Sequence, residues 1–188
     1  ENHSVVNFIN GMERSLDFTA DKTVLALTTF SFDIFVLEFF LPLLTGAQLV
    51  IASREQQQDM ATLSALIRTE SITTLQFTPS RMKMFLAFEP DLQCFSGVDE
   101  VLMGGEYVGF ELAESIKRCC PARVFNMYGP TETTVWSAVC ELTHAIQSTV
   151  GRPIDNTQLY VLDNAQQLCP MGTMGELYIA GDGLARGY

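Results

Sequence analysis

Three short stretches hold the side chains of this 188-residue chain that are best suited to handling a charged ligand. The longest is Asn126-Met127-Tyr128-Gly129-Pro130-Thr131-Glu132-Thr133-Thr134. Asn126 offers an amide that can read a base edge, and Tyr128 an aromatic face for a purine. Gly129 lets a ligand approach the backbone closely, and Pro130 is pre-set for a turn. Thr131 offers a hydroxyl to a phosphate, and Glu132 a hard oxygen ligand for Mg²⁺. On residue types alone, an ordinary strand-to-helix turn with a threonine cap accounts for the same stretch equally well. The other two stretches are Ser31-Phe32-Asp33 and Gly104-Gly105-Glu106. Asp33 stands where a helix dipole alone would favour a carboxylate.

All three follow a strand predicted from the residue pattern. Residues 24–29 form a short apolar run suited to a strand, and Ser31 can cap a helix over 33–44. Residues 48–51 read as the next strand and 60–68 as the next helix. Residues 73–77 are β-branched and short, hence a strand, and Pro79 suits the first turn of a helix ending near Phe88. The alternation continues with a strand at 100–103, a helix at 110–119 and a strand at 123–127. A further helix is expected over 3–16, where Val6, Ile9, Met12 and Leu16 are apolar at helical spacing. The fold class is therefore α/β, a parallel sheet with covering helices, with ligand groups gathered at the strand C-termini.

After residue 136 the pattern changes. Strand-like runs at 137–142, 158–162 and 176–180 are separated by turns such as Asp163-Asn164 and Pro170-Met171-Gly172. We expect residues 1–136 to be part of an α/β core and 137–188 to begin a β-rich subdomain. Both ends of the chain fall within expected elements, as in an internal piece of a larger domain.

Composition narrows the function classes. Eleven basic against 22 acidic residues leave a formal charge of −11, so binding to a nucleic-acid backbone is not expected. No basic amphipathic helix favours an anionic membrane. The apolar stretch 34–52 is broken by Glu38, Pro42, Gln48 and a turn at Thr45-Gly46, which favours a buried helix and strand over a membrane span. The first residues have no basic stretch followed by an apolar run, so they do not read as a signal peptide. The five cysteines contain no C-x-x-C pair, and only two histidines could join them. Zinc is thus not expected, and reduced thiols in a cytoplasmic protein are.

The order of residues adds a resemblance. Asn126 to Thr134 resembles the N-x-Y-G-P-T-E signature of the adenylate-forming enzymes. Residues 176–188, Glu-Leu-Tyr-Ile-Ala-Gly-Asp-Gly-Leu-Ala-Arg-Gly-Tyr, resemble the G-E-L-x-I-x-G-x-G-L-A-R-G-Y signature of the peptide-synthetase branch. Phe32-Asp33 followed by Glu38, and the Leu43-Leu44-Thr45-Gly46-Ala47 stretch, resemble that branch too. The chain is thereby similar to an amino-acid adenylation domain of a nonribosomal peptide synthetase over essentially its whole length. The resemblance implies that an amino-acid carboxylate attacks the α-phosphorus of ATP and releases pyrophosphate. The aminoacyl adenylate then passes to a phosphopantetheine thiol on a peptidyl carrier domain, beside a condensation domain of the same synthetase.

Carried over by position, the resemblance implies that Gly105, Glu106, Asn126, Met127, Tyr128 and Gly129 surround the adenine. Thr131 would meet the α-phosphate and Glu132 would hold Mg²⁺, these two being the catalytic residues of the set. The family's phosphate loop ending in Pro-Lys-Gly, its Tyr-x-Thr-Gly-Asp ribose segment and its catalytic lysine are not among these residues. The 188 residues alone are therefore not expected to be catalytically active.

The positions that read the amino acid align with Asp33, Ile34, Leu37, Gln76, Leu102, Gly104, Met127, Val135 and Trp136. Asp33 would face the substrate ammonium through a charge-assisted hydrogen bond. Most of the others are bulky, Trp136 is the sole tryptophan, and Gly104 is the one small member. Such a set resembles that of glycine-activating domains. Trp136 could instead be a core residue pointing elsewhere. Two rivals remain at this point. One is an acyl-CoA or aryl-acid ligase of the same superfamily, for which a carboxylate at Asp33 would be a liability. The other is a non-catalytic nucleotide-binding module.

Overall fold

A computed structural model describes residues 1–187. Helix α1 (Asn2–Leu16) leads into strand β1 (Thr23–Ala26), helix α2 (Phe35–Thr45) and strand β2 (Gln48–Ile51). Helices α3 (Arg54–Gln58) and α4 (Met60–Thr69), strand β3 (Thr74–Phe77) and helix α5 (Pro79–Phe88) follow. Next come β4 (Glu100–Gly104), α6 (Phe110–Cys119) and β5 (Arg123–Tyr128). The chain closes with β6 (Ala138–Glu141), β7 (Arg152–Pro153), β8 (Thr157–Leu162) and β9 (Glu176–Gly181).

Seven strands form one sheet in the order β2-β1-β3-β4-β5-β6-β7, and β8 pairs with β9 in a second. The five strands β1 to β5 run parallel, and β6 and β7 add antiparallel at the edge. The fold is thus α/β with a mostly parallel sheet between helical layers, as such crossovers require. On one face Leu25, Leu75, Phe77, Val101, Met103 and Val124 pack with residues of α4, α5 and α6 such as Leu63, Phe85 and Ile116. On the other, Val24, Leu102, Phe125 and Met127 pack with α1 and α2 through Phe8, Met12, Leu37 and Leu41. Period-two alternation therefore assigns Leu102 and Met127 to the face opposite Met103 and Val124.

Three local expectations are corrected. The run at 137–142 does not open a separate β-rich unit: β6 hydrogen-bonds antiparallel to β5, with Met127 opposite Val139 and Tyr128 opposite Ala138. It needs no crossover helix because the chain reverses between residues 129 and 137. Ser31 does not cap α2, since its hydroxyl pairs with that of Thr29 at 2.5 Å. The helix entry is closed by backbone bonds instead, from Phe35 N–H to Phe32 and from Val36 N–H to Asp33. Strand β1 stops at Ala26 rather than running to residue 29, because the Leu27 and Thr28 amides turn to a side chain described below. One element has no counterpart among the expectations: α3 is a helix of five polar residues that carries no apolar period. Its signal is the capping box between Ser53 and Gln56.

Candidate active site

Parallel register sets the floor of the site. Gln76 of β3 lies opposite Leu102 of β4, and Gly104 lies opposite Met127 of β5. These four residues share the face that packs on α2, at the C-terminal ends of their strands. Helix α2 brings Leu37 to the same face, buried in the same cluster as Ile34, Val135 and Trp136. The structure thus brings together the sequence-derived set Ile34, Leu37, Gln76, Leu102, Gly104, Met127, Val135 and Trp136.

Trp136 is the centre of the arrangement, and it is 1% exposed. A Cβ built on Gly104 would lie 2.5 Å from the indole Cη2 and 2.6 Å from the Met127 carbonyl oxygen. Only glycine leaves room for the ring there. The indole Nε1–H donates to Gln76 Oε1 at 3.1 Å. Gln76 in turn donates through Nε2 to the Ile34 carbonyl at 3.0 Å and to Glu38 Oε1 at 2.8 Å. The chain reaches Trp136 through two successive residues in the left-handed region, Thr134 (φ 63) and Val135 (φ 69). A β-branched residue adopts that conformation only when its surroundings impose it. Here the Ser137 amide donates to Tyr128 at 2.7 Å, and the Thr134 hydroxyl donates to Gly183 at 2.7 Å.

Asp33, just before helix α2, is half-buried, and its carboxylate accepts a hydrogen bond of 2.5 Å from the Thr131 hydroxyl. The residue aligned with ammonium recognition and the one aligned with the α-phosphate are therefore direct neighbours. Thr131 and Glu132 open a short 3-10 turn, and both are exposed. The main-chain carbonyl of Glu132 accepts from Ala185 N–H at 2.8 Å, so the segment after β9 docks on this turn. The two sequence signatures thus meet in space, although Tyr188 itself lies outside the described residues. Among the described residues no group of three or more His, Cys, Asp or Glu could hold a metal. Glu132 fits a Mg²⁺ site of the kind that takes one protein carboxylate and completes its shell with phosphates and water.

A cleft of about 470 Å³ opens at the ends of β4 and β5, with Trp136 in its wall. Gly105, Glu106, Asn126, Met127, Tyr128 and Gly129 all line it, together with Tyr107, Val108, Pro130 and residues 148–150. Three of the sequence-derived residues have structural duties here. Asn126 donates through Nδ2 to the Thr149 carbonyl at 2.7 Å, tying the 148–150 wall in place. Glu106 accepts from the amide of Ser80 at 3.0 Å and from its hydroxyl, closing the first turn of α5. Gly129 is needed for the chain's own close approach, since a Cβ there would lie 2.5 Å from the Val135 carbonyl oxygen. Gly105 sits at φ +79, a turn conformation that favours glycine.

Sequence reading missed Tyr107, the 148–150 wall and the position of Glu38. The first two carry no pattern, because they line the cleft from loops. Glu38 did carry a signal, an acidic residue inside the apolar helix α2, but its partners are distant in sequence. It is 1% exposed and accepts from Leu27 N–H and Thr28 N–H, both at 2.9 Å. It also accepts from the Thr28 hydroxyl at 2.6 Å. Burial pushes its carboxyl above the usual range, against the pull of those bonds. All five cysteines are free: burial pushes the Cys94 thiol up to about 12, and Cys140 Sγ accepts from the hydroxyl of Thr149 in the cleft wall.

Comparison with known proteins bears on this geometry. The model of the family described as AMP-binding enzyme matches residues 1–188. The chain is 42% identical over 187 residues to a dimodular nonribosomal peptide synthase of Bacillus subtilis, covering 98% of this chain and 8% of that protein. It is 40% identical over 189 residues to tyrocidine synthase 3 of Brevibacillus parabrevis, covering 98% of this chain and 3% of that protein. Among solved structures it is similar to a holo four-domain nonribosomal peptide synthetase bound to AMP and glycine. That match has a TM-score of 0.91 and 43% identity, and covers 98% of this chain and 14% of the other. The N-terminal subdomain of Klebsiella oxytoca NpsA in complex with 3-hydroxybenzoyl-AMSN matches with a TM-score of 0.84 and 26% identity, over 99% of this chain and 48% of the other. The chain thus spans a small part of the length of the synthetases it matches. With a family match along its whole length, signatures that meet at one sheet edge and a cleft beside them, the chain belongs to the AMP-binding enzymes.

Proposed function

We propose that the chain forms the amino-acid pocket and part of the nucleotide site of a nonribosomal peptide synthetase unit that activates a small amino acid, glycine above all, as its adenylate. The observation that carries this reading is the Trp136 indole seated over Gly104. With Leu37, Leu102 and Met127 around it, the ring occupies the volume that a larger substrate side chain would need. Asp33 supplies a carboxylate for the α-ammonium, a charge-assisted bond worth about 1.5–3 kcal/mol. An aryl acid or fatty acid has no such group, so its binding would leave Asp33 without a cationic partner.

In this reading ATP lies in the cleft with its adenine between Tyr128 and the Gly105-Glu106 turn, and Thr131 meets the α-phosphate. The substrate carboxylate attacks the α-phosphorus in line and pyrophosphate leaves. Mg²⁺ held by Glu132 would neutralise phosphate charge. Asp33 and Thr131 are direct neighbours, so once the ammonium takes over Asp33 the Thr131 hydroxyl is free to turn to the α-phosphate, and the two substrates lie side by side, which converts a two-body encounter into a positioned one. A phosphopantetheine thiol on a carrier domain then takes the aminoacyl group as a thioester, and AMP leaves. The structure of the glycine-bound synthetase supports the substrate class by similarity.

The test is ATP–pyrophosphate exchange across an amino-acid panel with the complete enzyme that contains this chain. Glycine should rank first, alanine second, and leucine and phenylalanine far behind. Preference for a large aromatic amino acid would overturn the small-pocket reading, and exchange driven by an aryl acid would overturn the amino-acid reading.

A further inference from the structure

We propose that Glu38, which does not face the substrate, is a positioning residue that sets amino-acid selectivity by fixing the amide of Gln76 and, through it, the indole of Trp136. The inference deepens the small-pocket reading and rests on it. Its basis is the donor and acceptor count of a closed network. Gln76 is 2% exposed, and its side chain has one acceptor oxygen and a two-proton amide nitrogen. Both amide protons are used, one on the Ile34 carbonyl and one on Glu38 Oε1. The oxygen is thereby left to face the Trp136 N–H, an indole that can only donate.

The reverse orientation of the Gln76 amide is excluded by the same count. Turned over, it would put an NH₂ against the indole N–H and an oxygen against both Glu38 and the Ile34 carbonyl. Glu38 enforces this because four donors converge on it, from Leu27 N–H, Thr28 N–H, the Thr28 hydroxyl and Gln76. That set asks for a group that accepts at both oxygens, and only a carboxylate of this length does so. Among the described residues Glu38 has no cation within 4 Å: the Arg81 guanidinium acts on it only through longer-range charge and spends its Nη2 on the Gln57 carbonyl. Its bonds run instead to the end of β1, which leads into the Asp33 loop, and to the residue that holds Trp136. A carboxylate whose partners are neutral groups next to the pocket acts on the pocket's geometry.

The substitution Glu38→Gln breaks the count at constant shape. A glutamine at position 38 must point an NH₂ either at the Gln76 amide or at the Leu27 and Thr28 amides. In the first case Gln76 moves or turns over, and Trp136 loses its acceptor. An indole without that tether no longer holds one position over Gly104, and discrimination by volume weakens.

The experiment is amino-acid-dependent exchange with the complete enzyme, wild type against Glu38→Gln, Gln76→Leu and the double variant. For Glu38→Gln we expect the wild-type preference between glycine and alanine to fall about tenfold, through a lower KM for alanine relative to glycine. The double variant should show the selectivity of Gln76→Leu alone, because Glu38 acts through Gln76. If Glu38→Gln misfolds, Thr28→Val removes one donor to Oε1 and should shift the preference in the same direction by a smaller factor. A variant that slows every amino acid equally, or selectivity losses that multiply in the double variant, would overturn the proposal. The wild-type panel tests the glycine reading separately, since a different preferred substrate leaves the variant-to-wild-type ratios still readable.

Discussion

Two buried carboxylates sit at opposite ends of the sheet, and they are stabilised in different ways. Glu38 lies by the C-terminal ends of the parallel strands and Glu100 by the N-terminal ends, and each is 1% exposed. Burial pushes both carboxyls above the usual range. Glu100 is flanked by Lys22 Nζ and Arg123 Nη1, each 3.7 Å away, and accepts from the Thr74 hydroxyl at 3.0 Å. Those cations have other partners as well, Asp99 for Lys22 and Glu141 for Arg123. Glu38 has only neutral donors, and they belong to the pocket wall and the Asp33 loop. The difference separates maintenance of the fold from maintenance of the site. A redundant ion cluster can lose a member and relax into water, whereas a closed network of single partners passes any loss to Trp136.

The comparison breaks most sharply at Trp136. Trp136→Ala should destabilise the domain by about 3–5 kcal/mol, the range for emptying a large buried aromatic site. In exchange assays it should raise alanine and larger amino acids relative to glycine. Thermal melting together with the substrate panel reads both, and an unchanged ranking would show that the ring does not border the substrate. Next in size is Asp33→Ala, which should lower kcat/KM for every amino acid by a factor corresponding to about 1.5–3 kcal/mol. Its ranking should stay as in the wild type, because all α-amino acids share the ammonium. A change of ranking would mean that Asp33 acts on shape rather than charge.

At the other end, Glu100→Gln should lower stability by about 1–3 kcal/mol and leave the amino-acid ranking alone. Lys22 is mostly buried yet keeps Asp99 at 2.9 Å, so its charge is not stranded. If Glu100→Gln altered the ranking as Glu38→Gln is expected to do, the division between the two ends would fail.

How much of this was readable from residues follows the same division. The α/β alternation was legible because β-branched runs and helical spacing are local, and strands 48–51 and helix 110–119 fall where the pattern put them. The order of motif residues named both members of two contacts that the fold makes, Trp136 over Gly104 and Thr131 against Asp33. The edge strand β6 was misassigned to a later unit because a short apolar run does not say which sheet it joins. The use of Glu38 was not legible because its meaning lies in four donors spread over residues 27, 28 and 76. Gly129 invited a ligand-approach reading, yet the close neighbour is residues 135–137 of the same chain. Sequence gives the residue types at a site, while donor counting needs the fold.

The smallest expected effect is on the pH dependence of stability, and its sign differs between the buried carboxylates and the surface ones. A carboxyl whose folded pKa is raised binds more protons folded than unfolded above the reference value of 4.5. Stability therefore declines as pH rises from 4.5 toward the raised value, for Glu38 and Glu100 alike. The bond from Arg123 holds Glu141 below the usual range, so its contribution is present above 4.5 and is lost as pH falls. Glu89 is held low as well, by the Ser64 hydroxyl and the Cys94 amide acting against burial. Melting temperatures of wild type, Glu100→Gln and Glu141→Gln across the acid range should then diverge in opposite directions. Glu100→Gln should flatten the decline above 4.5, and Glu141→Gln should flatten the loss below it. Because Glu141 is exposed and screened, its effect should be the weaker of the two and should shrink further in high salt. A Glu100→Gln curve running parallel to wild type above 4.5 would show that Lys22 and Arg123 offset its burial in full, making that cluster as neutral to pH as it is to substrate choice.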